Sequence, residues 1–201
     1  MRLKLIQFIP LIFSLTSITV SREVSFPTTQ AKTDGTSVNC RRETLPPMLL
    51  TRLRAGYGSW RIQDLPDLST GARRTWEWDE KKYRRSPLEC PGIAVGRFDG
   101  RNQSYAVLLV PTDRPDRGYR FLLSNSAGYP LTILEESDDA GARNVFIRKI
   151  RISDFFNSAS RRQLAVETND GILRVEAGED QYGADIFFWA KNSVRLVFVD
   201  Y

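Results

Sequence analysis

Apolar residues recur along this chain in short runs divided by polar turns, and one stretch has the spacing of an amphipathic helix. Residues 45–54 place Leu49, Leu50 and Leu53 on one face. Pro46 and Pro47 suit a first turn, and Gly56 stops the run. From residue 60 onward the pattern predicts strands. Residues 60–65 alternate apolar and polar, and 93–98 and 105–110 flank the polar connection 99–104. The second of that pair is apolar on both faces, as expected of a central strand covered on two sides. Residues 119–123 and 129–134 bracket the turn Asn125-Ser126-Ala127-Gly128, and 145–152 form another strand. Residues 164–167 are expected to turn at Asn169-Asp170-Gly171 into 172–175, and 186–190 to turn at Lys191-Asn192-Ser193 into 194–199. The expectation is an α+β fold, mostly antiparallel sheet of about nine strands, with one N-terminal helix. No internal repeat at a fixed period interrupts it.

The first 21 residues follow another pattern. Arg2 and Lys4 precede the apolar run 5–15, which passes into the small polar stretch 14–21. A charged start, a short apolar middle and a small-residue exit compose a secretory signal peptide. Gln7, Pro10 and Ser14 interrupt the run, which falls short of the roughly 20 apolar residues of a membrane span. Cysteine is missing just after it, and nothing later reaches the length of a transmembrane helix. The chain therefore divides into a signal peptide at 1–21, a polar flexible linker at 22–42 and a single β-rich domain at 43–201. The expected location is the periplasm or the exterior, with no transmembrane span after signal cleavage.

Export changes how the cysteines read. Cys40 and Cys90 are the only two, and in an oxidising compartment an even pair predicts one disulfide, with two unpaired buried thiols as the alternative. Histidine is absent altogether. That excludes Ser-His-Asp and Cys-His catalysis and His-ligated zinc, and leaves carboxylates, lysine, tyrosine or a hard metal ion for any chemistry. Removing Arg2 and Lys4 from the 29 basic residues lowers the excess over the 24 acidic ones from five to three. So mild a balance argues against nucleic acid as a partner.

The segment 90–110 pairs a strand end carrying Gly96, Phe98, Asp99 and Gly100 with a second strand opening on Tyr105, Ala106 and Val107. It resembles an FG-GAP/VCBS-type calcium loop in degenerate form. That family places inward-facing carboxylates around a cation that takes six to eight oxygens. Here Arg97 and Arg101 stand where the family has aspartates and Ser104 replaces another, so Asp99 alone remains and neither metal nor other cofactor is expected. The departure implies a hairpin that kept its shape without its metal, with Arg97 and Asp99 as a surface ion pair. The wider layout resembles uncharacterised exported bacterial proteins, a likeness that carries no catalytic residues across.

Two constellations remain. Trp76-Glu77-Trp78-Asp79 would set both tryptophans on one strand face, beside Arg73, Arg74, Lys81 and Lys82. This basic, aromatic stretch is the candidate binding surface for a protein or an anionic cell-envelope polymer, against core packing of the rings and solvated charge. The carboxylates Asp64, Asp67, Asp79, Glu80, Glu135, Glu136, Asp138 and Asp139 could supply a glycosidase pair, although no spacing singles one out. Asn102-Gln103-Ser104 is an N-glycosylation sequon. The leading expectation is an exported non-enzymatic domain that binds a protein or envelope component. The alternative is a carboxylate-dependent hydrolase outside the cytoplasm, for example one acting on glycans.

Overall fold

The structure, a computed structural model, describes residues 40, 45–82, 90–178, 182–190 and 193–199. The expected signal peptide (1–21) and the expected linker (22–42) apart from Cys40 lie outside the described residues. Helix α1 (Pro47–Gly56) begins on its prolines, as expected, and buries Leu49 and Leu53. Strand β1 (Trp60–Ile62) follows it. The chain then turns through the 3-10 segment Leu65–Asp67, where Asp64 and Asp67 each accept a backbone N–H from the other end of the turn.

Helix α2 (Thr70–Lys82) occupies the stretch read from its alternation as a strand. The competing spacing wins: Leu68, Ala72, Trp76 and Asp79 recur at intervals of three and four, and all are buried. A third helix, α3 (Ser158–Gln163), starts at an Asn157 cap whose side chain accepts the Ser160 N–H. Among the described residues the expected N-terminal helix is thus joined by two more.

Among the described residues nine antiparallel strands make two sheets. The first joins β1, β2 (Ile93–Gly96), β3 (Ser104–Pro111), β4 (Arg117–Asn125) and β5 (Leu131–Ala140). Strands β1 and β2 lie end to end along one side of β3, opposite β4. The second sheet runs in order through β6 (Val145–Arg151), β7 (Asp170–Ala177), β8 (Tyr182–Ala190) and β9 (Ser193–Val199). The stretch 164–167 is no strand, because α3 ends there and β7 pairs with β6 and β8 instead.

Three apolar clusters order these elements into four layers. Leu49 and Leu53 of α1 pack with Tyr105, Val107, Leu109 and Leu122 on the outer face of the first sheet. Its inner residues Ala106, Leu108, Val110 and Phe121 meet Ile147, Ile172 and Phe187 of the second sheet, with the Phe121 and Phe187 rings edge to face at 5.0 Å. Phe146, Leu173, Ile186 and Phe188 then face Ala72 and Trp76 of α2. The order is helix, sheet, sheet, helix, and β3, covered on both faces, is buried over all but its last residue.

Cys40 and Cys90 form a disulfide spanning 50 positions. Cys90 is wholly buried beside α1 and β2, so the bond ties the chain before α1 to the outer apolar layer. A thiol titration of the unfolded, unreduced protein is expected to find no free thiol. Replacing both cysteines by alanine is expected to lower the unfolding free energy in urea by about 2–4 kcal/mol. A titrating thiol, or an unchanged urea midpoint, would contradict the tether.

Candidate functional site

A concavity lies between α1 and β1. Leu50 and Arg54 of α1 and Tyr57, just past its end, are spaced four and three apart and form a stripe along one side of it. Strand β1 is three residues long, so the sheet ends before it has covered that stripe. Trp60 and Ile62 share one face of β1, and Leu109, opposite Ile62 in the register, supplies the floor. Leu53 and Arg61 complete a half-open groove of about 230 Å3 whose walls are almost entirely apolar.

Charged residues frame it in pairs. Arg61 forms a two-pronged bond with Asp67, at 2.5 Å for each prong. Arg120 of β4 stacks over the Trp60 ring with its guanidinium carbon 4.5 Å from the centroid. It also pairs with Glu136 (3.3 Å) and Asp138 (2.6 Å) and donates to the Tyr119 and Ser137 carbonyls. Burial pushes the Tyr57 hydroxyl up from its usual pKa, against Arg120, so it remains protonated and able to donate. The groove's described lining is apolar apart from the donors of Arg54, Arg61, Trp60 and Tyr57. What it offers is a seat for an apolar group.

A second cluster lies between the sheets. Arg174 of β7 and Asp185 of β8 are cross-strand partners, and the guanidinium reaches Asp185 (2.6 Å), Glu135 (2.9 Å) and Glu176 (3.1 Å). Its Nη2 donates to the Tyr119 hydroxyl, which in turn donates to Glu135. Burial raises the Tyr119 pKa well above that of a free phenol, and burial likewise raises Asp185 despite Arg174. Both Glu135 oxygens are engaged, and the tyrosine between them is buried and protonated. The arrangement staples one sheet to the other, and a substrate would have to displace it.

Other carboxylates also serve the fold. Asp64 and Asp67 cap a turn, Asp67 holds Arg61, and Asp79 pairs with Arg148 inside the protein. Asp139 gives a backbone N–H to Ser137, and the Glu80 side chain lies outside the described part.

The basic, aromatic stretch is rearranged by its helix. Residues two apart on a helix point in nearly opposite directions. Trp76 is therefore 3 % exposed, packed edge to face on Phe146, while Trp78 is 52 % exposed. Arg73 is half-buried and donates to the Leu65 carbonyl, and Arg74 is exposed. The side chains of Lys81 and Lys82 lie outside the described part. One tryptophan thus belongs to the core, and the shared aromatic face does not form.

In the 97–104 loop, Asp99 Oδ1 accepts the N–H groups of Arg101 and Asn102, and the Arg97 N–H goes to Asp170. Asp99 is thus bound to its own loop's amides, and Gly100 takes the positive φ (74°) that the turn requires. These residues do not fit a calcium ion. Ser104, third residue of the sequon, is buried at the start of β3.

Sequence reasoning missed the groove although its signal was present. Leu50 looked like a core residue beside Leu49 and Leu53, yet it shares the four-and-three spacing of Arg54 and Tyr57. Compared with known proteins, the chain matches no family model, no curated protein and no solved structure.

Proposed function

We propose that this chain is an exported, non-enzymatic binding domain that holds a protein partner in the groove between α1 and β1. The observation that carries the reading is the groove itself: an apolar trough with Trp60 and Tyr57 in its wall, open where the sheet stops short of the helix. Aromatic residues and arginine are the anchors that protein interfaces favour. Export is supported by the charged start and apolar run of residues 1–21. The loop after β2 is the remnant of an FG-GAP/VCBS-type hairpin, its one carboxylate now holding backbone amides in place of a cation.

Site-specific photo-crosslinking tests this in the organism that makes the protein. A benzophenone side chain at position 54 is expected to yield a discrete adduct with one partner, and the same group at position 78 none. Adducts at position 78 alone, or at neither position, would remove the groove from consideration. Fusing residues 1–31 to alkaline phosphatase checks export separately, since that enzyme becomes active only where its disulfides form.

A further inference from the structure

We infer that a second surface, separate from the groove, binds a linear carboxylated polysaccharide. It lies at the end of the two sheets where the β2–β3 loop, the end of β6 and the α3–β7 connection meet. Contacts converge there on Asn169 and Asp170, where β7 begins. The Arg97 N–H donates to Asp170 Oδ2 at 2.9 Å, and Arg151 is the cross-strand partner of Asp170. Arg161 of α3 donates to Asn169 Oδ1 at 3.0 Å, which brings its neighbour Arg162 to the same end. A Cβ on Gly100 would lie 3.3 Å from the Thr168 side chain, so Arg101, the next residue, joins the group.

The carboxylates of this end serve the backbone and leave the arginines unneutralised. Asp99 Oδ1 accepts the Arg101 and Asn102 N–H groups, and Asp170 accepts that of Arg97. Among the described residues the ion pair expected between Arg97 and Asp99 does not form. Arg97, Arg101, Arg151 and Arg162 are all exposed. Their guanidinium groups make no hydrogen bond or ion pair among the described residues. Arg61, Arg120 and Arg174, by contrast, are each matched by carboxylates.

Charge and polarity then choose the partner. Among the described residues the exposed large hydrophobics are Met48, Trp78, Ile133 and Phe198, none of them in these segments. The surface therefore lacks the apolar centre of a protein interface. Asp154 and Glu167 lie exposed among the arginines. An anionic bilayer, or a duplex carrying a charge about every 1.7 Å, would press negative charge onto these two as well. A polysaccharide with one carboxylate per sugar can set its charges on the arginines and its hydroxyls beside the acids. The guanidinium fork receives a carboxylate in two-pronged fashion.

The test is binding of the purified full chain to immobilised alginate, a polyuronate, by biolayer interferometry at rising NaCl. Phosphatidylglycerol vesicles and single-stranded DNA serve as competing probes. Alginate is expected to bind, and more weakly as salt rises. Arg97→Gln/Arg101→Gln and Arg151→Gln/Arg162→Gln are each expected to weaken binding about tenfold. Arg114→Gln/Arg117→Gln removes the same charge at the opposite end of β3 and is expected to change it less than about twofold. All six positions are exposed, so the variants read charge and not folding. Equal losses from the three pairs would reduce the effect to net charge and overturn the surface. Failure of the wild type to bind alginate, or preference for vesicles or DNA, would overturn the polysaccharide.

Discussion

Arg174→Met is expected to lower the unfolding free energy by about 2–4 kcal/mol at pH 7, because it removes the one guanidinium that answers the partly buried Asp185 and Glu135 and the exposed Glu176. In the native protein one guanidinium answers Glu135, Glu176 and Asp185 together and also donates to the Tyr119 hydroxyl. Methionine fills similar space and leaves the partly buried Asp185 and Glu135 and the exposed Glu176 near one another without a counter-charge. Their repulsion should fade on acidification, so the difference from wild type is expected to shrink as pH falls through the carboxylate range.

Asp185 supplies the control. Burial raises its pKa in the folded protein, so it holds its proton more tightly folded than unfolded. The stability linked to that group is present below the ordinary carboxylate pKa and is lost as pH rises through the raised value. Asp185→Asn removes the ionisation and keeps an oxygen for Arg174, and at pH 7 it is expected to cost under about 1.5 kcal/mol. Urea titrations of both variants at pH 7 and pH 4 decide the matter. Equal losses from the two substitutions, or a loss from Arg174→Met that grows toward pH 4, would show that the cluster is no charge-dependent staple.

That staple also shows where a one-dimensional pattern stops. Alternation along β5 would set Glu135 on the same face as Leu131 and Ile133, toward α1. A register shift between Ile133 and Glu135 leaves Leu134 as an extra residue, and both Leu134 and Glu135 then face the other sheet. A second irregularity at Gly118, whose φ of 80° and close approach to the Ser137 carbonyl demand glycine, precedes Tyr119. Two bulges thus compose a cluster that no spacing rule contains. The strands themselves were legible, because β3, β4, β6, β8 and β9 have the apolar character and turn chemistry of a meander. The cysteine pairing was legible from an even count together with the expectation of export, and α1 from its prolines and leucines. Helix α2 was not, since Trp76-Glu77-Trp78-Asp79 satisfies a period of two locally while the wider run from Leu68 to Asp79 satisfies 3.6. The groove depends on how far β1 extends under α1, a tertiary fact that the residues of either element leave open.

The pair between Asp79 of α2 and Arg148 of β6 should respond in the same size range and in a different way. Asp79 is wholly buried and Arg148 is 2 % exposed, so both are enclosed between helix and sheet. Taking two charges out of water costs nearly what their attraction returns, so the pair adds little net stability over apolar residues. Losing one partner is another matter, because the survivor stays buried and charged. Asp79→Leu and Arg148→Met are each expected to cost about 3–5 kcal/mol in urea unfolding. The double replacement is expected to cost far less than their sum, with a coupling of at least about 2 kcal/mol in the cycle. Additive losses would mean that the two side chains stabilise the protein through separate contacts. Strong coupling would mean that the charges select how α2 seats on the second sheet. The double variant should then keep its stability and loosen that seating, seen as faster amide exchange in α2 than in α1.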